Sequence, residues 1–356
     1  MPKNKKLTIP FSQILDSLLE VKLSFPAMYL HRFSDLSGND LAQFKNVWAK
    51  VTIDRRLSIL VDLEEAAEAD TMVSFDEVAK IALIDSDARV RASALKLLWE
   101  SEDNRLIPTF ISMLEKDDDA AVRASAAAAL SLFVFKGELE EIPAVMLKKV
   151  EESLLKVLKS DQPPLVCRRA LESLGYSGRE EVPALLKEAY QSPDGEWQAS
   201  ALFAMGRSAD IRWEKMVIDR LDALETEVKL EAIRAAGQLE LESARHILIE
   251  MLDNYQELEE EIRMATAWSL SQIGGNNVRE VLEKLIENVE DEDEADYFDL
   301  ALENLQFTQD VPGYGMYDML NAANIEEHTQ VVDLSLPDGD GDEEDDLSED
   351  KLMDLD

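Results

Sequence analysis

Cysteine, histidine and clustered basic charge are scarce in this chain, and each scarcity closes off a class of function. The one cysteine, Cys167, has no partner for an internal disulfide, which points to a reducing cytoplasm. Arg168 and Arg169 beside it would lower its thiol pKa, the single hint of a nucleophile. The three histidines, His31, His246 and His328, stand in separate segments without the carboxylate or cysteine neighbours that a metal site or acid–base chemistry needs. No cofactor is implied. Lys and Arg total 36 against 75 Asp and Glu, a net charge of −39, which repels nucleic acid phosphates and disfavours DNA or RNA as a partner of the body. No apolar run approaches the roughly 18 residues of a membrane span. The start, MPKNKKLTIPF, lacks the apolar core and cleavage site of a secretion signal, so neither membrane nor export is expected. Gly274-Gly275 and Gly313-Tyr314-Gly315 lack the strand–turn–helix context of a phosphate-cradling loop. The chain is therefore expected not to be an enzyme.

What is present is a repeat. Residues 227–252, EVKLEAIRAAGQLELESARHILIEML, read as one helix, a break and the start of another. Taking Val228 as position zero, the same register recurs at Val90, Val122, Val166, Trp197, Ile262 and Tyr297. Four residues after each anchor stand Ala94, Ala126, Ala170, Ala201, Ala232, Thr266 and Ala301. The anchors are separated by 32, 44, 31, 31, 34 and 35 residues. The outlier locates an insertion at residues 137–159, which lengthens the first helix of that pair. Asp85, Asp87, Asp117 and Asp119 precede helices, where they can cap orphan backbone N–H groups.

The second helices, DARVRASALKLLW, AAVRASAAAALSLF, PLVCRRALESLGYSG, EVKLEAIRAAGQLE and EIRMATAWSLSQIGG, resemble HEAT-like repeats of the short bacterial type, as in phycobilisome lyase-like HEAT repeats. The shared pattern is an acidic turn, Val-Arg, an alanine three residues later and a small residue closing the helix. The resemblance covers residues 40–307 and implies an all-α fold, a right-handed α-solenoid of about eight helical hairpins. It also implies an Arg-to-Asp pairing between repeats. That pairing should lapse where the Arg position is Cys167, Gln198 or Phe298, and the closing glycine is replaced by Trp99 and Ser131. For function the resemblance implies a protein or peptide scaffold. Its alternative is an accessory or lyase-type subunit handling a tetrapyrrole, which a coloured complex on mixing with a bilin would reveal.

The domains expected are an N-terminal helical cap at 1–37, the repeats at 38–307, a linker at 308–335 and a disordered acidic tail at 336–356. Phe11, Ile14, Leu15, Leu18 and Leu19 form the cap's apolar stripe, which shields the end of the array. The tail has no apolar periodicity able to offset ordering entropy. Asp338, Asp340, Asp342 and Glu349 have calcium-loop spacing, but Glu343 occupies the glycine position and Asp345 the apolar one, so a solvated tail is the better reading. LSEDKLMDLD alternates acids with Leu347, Leu352, Met353 and Leu355, which makes an intramolecular contact with the repeats conceivable.

At 100° per residue, positions 0, 4, 5 and 8 of each second helix face the core and positions 2, 3, 6 and 10 face outward. The later repeats place Arg168, Arg169, Tyr176, Phe203, Arg207, Leu230, Arg234, Met264 and Trp268 there. Arg and large aromatics are enriched at interaction hot spots. The expectation is a wall, concave in such solenoids, that binds an acidic, partly apolar protein segment.

Overall fold

The computed structural model describes residues 9–310. The tail, its calcium-like spacing and nearly all of the linker lie outside the described residues. Among them, α1 (Phe11–Leu19) is followed by a 3-10 turn at Ala27–Phe33 and then by hairpins. The hairpins are α2 (Gly38–Trp48) with α3 (Ile53–Ala69), α4 (Asp76–Ala82) with α5 (Ala88–Leu97), and α6 (Ile107–Lys116) with α7 (Ala120–Ala129). After α8 (Ser131–Glu138) come α9 (Ala144–Leu158) with α10 (Pro164–Ser173), α11 (Val182–Tyr190) with α12 (Gly195–Arg207), and α13 (Glu214–Ile218) with α14 (Thr226–Gln238). The last are α15 (Arg245–Asp253) with α16 (Glu260–Ile273), and α17 (Val278–Asn288) with α18 (Glu292–Asp310). All the described elements are helical, as the repeat pattern requires.

Second helices stack on one another in the order α3, α5, α7, α10, α12, α14, α16, α18, each also packing on its own first helix from α4–α5 onward. The seven residues at position 4, Ala94 through Ala301 with Thr266, are all fully buried. Small side chains there let neighbouring helices approach closely. Hydrogen bonds cross the same seam: Ser173 Oγ donates to the Ala127 carbonyl (2.9 Å), Ser269 Oγ to that of Ile233 (2.8 Å), and Asn304 Nδ2 to Ser271 Oγ (2.8 Å). Anchors Val90, Val122, Val166, Val228 and Ile262 are buried, whereas Trp197 and Tyr297 are only half-buried. At Tyr297 the core position passes to Phe298, because α18 has no described helix stacked beyond it.

Four of the five residues of the N-terminal stripe pack inward, and Leu19 is exposed. Phe11, Ile14, Leu15 and Leu18 are buried, and Phe33 joins Phe11 and Phe44 in edge-to-face contacts. The insertion lengthens the first helix of its pair, as expected. Most of it forms the 15-residue α9, and only Gly137 and Glu138 fall in α8, which prolongs the preceding second helix, with Gly137 against Leu147. Ala120–Glu138 is thereby long and apolar enough, by length and composition, to cross a membrane, where no such run was expected. More than half of it is buried inside the array, so alanine-rich core packing explains its composition.

The inter-repeat ladder appears where the Arg position is kept. Arg91 donates through Nε and Nη2 to both Asp117 oxygens (2.8 and 2.7 Å) while its Nη1 reaches back to the Asp85 carbonyl. Arg263 grips Glu294 in the same way, and Arg123 reaches Gln162. At Cys167 and Gln198 only the local half survives, each side chain bonding a carbonyl of its own turn.

Asp117 allows a pH test. Burial works to raise its carboxyl, but the Arg91 fork and the Asp119 N–H outweigh it, so its pKa falls below the usual 3.8. A depressed folded-state pKa means stability that is present above that value and lost as pH falls through it. Asp117→Asn should lower stability at pH 7 by about 1–3 kcal/mol. In urea titrations the deficit against the native sequence should shrink steadily below pH 3.8; a constant deficit would contradict the assignment.

Candidate binding surface

All nine residues expected on the outward positions lie on the second-helix layer, on α10, α12, α14, α16 and the turn after α10. Their exposure divides them. Arg168, Tyr176, Arg234, Met264 and Trp268 are partly exposed. Arg169, Phe203, Arg207 and Leu230 are buried, which corrects the expectation that they face solvent. The reason is the tight seam: with alanine, serine and glycine between neighbouring second helices, these side chains at positions 2, 3, 6 and 10 meet the flank of the next helix.

The arginines are not a free positive strip either. Arg168 Nη2 pairs with Glu196 (3.0 Å), Arg169 Nη1 with Glu172 (2.6 Å), and Arg234 with both Glu231 (2.8 Å) and Glu261 (3.3 Å). Glu172 also accepts from Ser200 Oγ at 2.6 Å, which ties α10 to α12. The Glu172 carboxylate holds the Arg169 guanidinium above its ordinary pKa, against the opposing effect of burial. Glu172 and Glu231 stand at outward positions 6 and 3 but are not among the nine expected residues, because only arginines and large apolar side chains were selected there. Their signal was there, in the three-residue spacing of Arg169 to Glu172 and Glu231 to Arg234 on a helix.

Arg207 differs from the other three. Its guanidinium carbon lies 3.9 Å from the Phe203 ring centroid and 5.0 Å from that of Tyr176, whose ring in turn leans on Phe135 at 5.0 Å. Nη1 donates to Ser131 Oγ at 2.9 Å. Among the described residues no carboxylate pairs with it. Withdrawing an arginine from water costs several kcal/mol, and ring faces return about 2. The site is therefore electrostatically underfilled.

Farther along the layer, Met264 and Trp268 sit one turn apart on α16, both half-exposed, with Trp268 6.2 Å from the Tyr297 ring. The Trp268 indole N–H is buried without an acceptor among the described residues. A separate groove of about 350 Å³, lined by Leu158, Leu171, Leu185, Ala189 and Trp197 with Glu188 and Ser192 at its polar side, opens beside the repeats whose Arg position is lost. Cys167 is buried, and burial pushes its thiol pKa up rather than down, which removes the hint of a nucleophile.

A model of the HEAT repeat family matches residues 75–146 and 214–306, the stretches where the register above is most regular. This chain is a HEAT-like repeat protein. The interval between the two matched HEAT stretches contains residues 147–159 of the insertion, Cys167 and Gln198, where both spacing and ladder depart from the pattern.

Among solved structures, YibA of Escherichia coli is 16% identical, covering 79% of this chain and 97% of its own, with a TM-score of 0.42. The complex of CpcE and CpcF of phycocyanin lyase from a Nostoc species is 15% identical over 86% and 98%, at 0.48. Human deoxyhypusine hydroxylase in complex with glycerol is 15% identical over 74% and 95%, at 0.33. Such values carry nothing about what this HEAT-like chain binds. No curated protein matches it.

Proposed function

We propose that this chain is a non-enzymatic cytoplasmic scaffold that holds a partner protein along the second-helix layer of its later repeats. The observation that carries the reading is the half-exposed pair Met264 and Trp268 on α16. Large apolar side chains held rigidly on a helix, at the level of a layer otherwise closed by alanine and paired charge, are what a partner's apolar anchors fill. The paired arginines shape and stiffen that layer, and their carboxylates keep it near neutral. An acidic partner is thus favoured by Arg207 alone and not by four arginines.

Replacing Met264 and Trp268 together by alanine tests this. Both side chains are partly exposed, so the array should keep its helicity, checked by circular dichroism. In affinity purification from the native cell, proteins retained by the unaltered chain should be lost or reduced at least tenfold with the double variant. An unchanged set of captured proteins, with the fold intact, would reject the reading.

A further inference from the structure

We propose that Arg207 is the receptor for one side-chain carboxylate, an Asp or Glu, carried by an extended segment of the partner; this rests on the scaffold reading above. Arg207 is 9% exposed, and among the described residues a single acceptor, Ser131 Oγ, is hydrogen-bonded to its guanidinium. The Phe203 and Tyr176 rings lie 3.9 and 5.0 Å from its central carbon, and together with the Ser131 hydrogen bond they restrict its movement. A fork so held is pre-oriented for two parallel hydrogen bonds to a carboxylate, the geometry in which arginine outperforms lysine. The neighbouring cations have acids of their own: Arg168 pairs with Glu196 and Arg169 with Glu172. Among the described residues of α10 and α12, Arg207 is the guanidinium left for an incoming negative charge.

The occupant follows from charge and spacing. The chain carries a net charge of −39, so a run of acids would be repelled while one carboxylate can be accommodated. Met264 and Trp268 lie two second helices beyond α12. Packed helices are about 8–10 Å apart, which makes the separation about 16–20 Å. An extended chain covers that with about five or six residues. The fitting segment therefore has one acid and, about five or six residues away, one large apolar side chain.

Fluorescence anisotropy with the full-length protein tests the pairing. The probes are fluorescein-labelled, C-terminally amidated twelve-residue peptides of Ser and Gly, with one Asp and one Leu two, five or eight residues apart, and their Asn counterparts. The five-residue Asp peptide should bind about tenfold more tightly than its Asn counterpart, the discrimination typical of a charge-assisted hydrogen bond. Arg207→Met should abolish that preference. Arg207→Lys, which keeps the charge and loses the fork, should retain a few-fold preference and guards against a fold defect in the first variant. The Met264→Ala, Trp268→Ala double variant should weaken Asp and Asn peptides alike. Equal binding of Asp and Asn peptides, a preference that survives Arg207→Met, or binding by no peptide would each overturn the inference. Competition by acetate, or by a peptide whose one carboxylate is its C-terminus, as effective as that of the Asp peptide would also overturn it. Failure here with Met264 and Trp268 still required for capture leaves the scaffold reading standing; loss of both rejects the two together.

Discussion

Arg56→Ala should be among the most damaging single substitutions in the array, costing about 3–5 kcal/mol. Arg56, on α3, pairs through Nη1 with Asp85 in the turn before α5, and the Asp85 side chain is 1% exposed. Asp85 also accepts from Trp48 Nε1 on α2 (2.9 Å) and from the Asp87 N–H (3.0 Å). One buried carboxylate thus joins the cap-side hairpin to the first regular repeat. Removing the guanidinium leaves that carboxylate buried with two neutral donors, and a stranded buried charge is far costlier than a lost surface pair. Asp85→Asn keeps an acceptor for Trp48 but leaves a lone positive charge on Arg56; because that longer side chain is 10% exposed against 1% for Asp85 and can reach toward water, the cost should be smaller than for Arg56→Ala. In a solenoid each repeat leans on its neighbours only, so the loss should be local. Hydrogen exchange should show α1 to α5 opening at lower free energy with the later hairpins barely affected. Urea denaturation showing a loss below about 1 kcal/mol would mean that water reaches Asp85 and that the pair is ordinary surface chemistry.

The repeat register was legible because it rests on a short-range constraint. Ala94, Ala126, Ala170, Ala201, Ala232 and Ala301 mark the line where second helices meet, and only a small residue fits there. The lapses at Cys167 and Gln198 were legible for the same reason, since a thiol or an amide has no fork to reach the next turn. What a register cannot convey is how closely neighbouring helices approach. The facing rule treats each helix as an isolated cylinder with an open side, and Phe203 and Leu230 do stand on that side. They are buried because the next helix stands against it. The same closeness drew Glu172, Ser200, Glu231 and Arg234 into contact across or along the layer, so that charges which look exposed in sequence are paired in the structure. Cys167 failed in the opposite direction. Two adjacent arginines suggested a stabilised thiolate, but both guanidiniums turn toward glutamates while the sulfur lies buried against backbone carbonyls of Val157 and Gln162.

Gly237→Ala should destabilise the array by about 1–3 kcal/mol even though alanine is the better helix former by about 1 kcal/mol. Gly237 closes α14, and a Cβ built there would lie 2.7 Å from Ser269 Cα and 2.8 Å from its Cβ. Backbone cannot swing aside as a side chain can, so α16 must move away from α14. That movement would stretch the Ser269 Oγ hydrogen bond to the Ile233 carbonyl, now 2.8 Å, and open the plane in which Thr266 is sealed. Gly175 makes the same approach to Ala204, with the carbonyl oxygen 2.7 Å and Cα 2.8 Å from the added Cβ. Gly206 is the internal comparison. At both Gly206 and Gly237 the nearest obstacle is the end of a glutamine side chain, Gln238 or Gln272, which can rotate, but at Gly206 the backbone behind it, Ala235 Cα, stands farther off at 3.0 Å. The order of damage expected in urea titrations is therefore Gly175→Ala and Gly237→Ala together, then Gly206→Ala. If all three are neutral or stabilising, helix propensity outweighs helix spacing, and the close second-helix seam is not what holds these repeats in register.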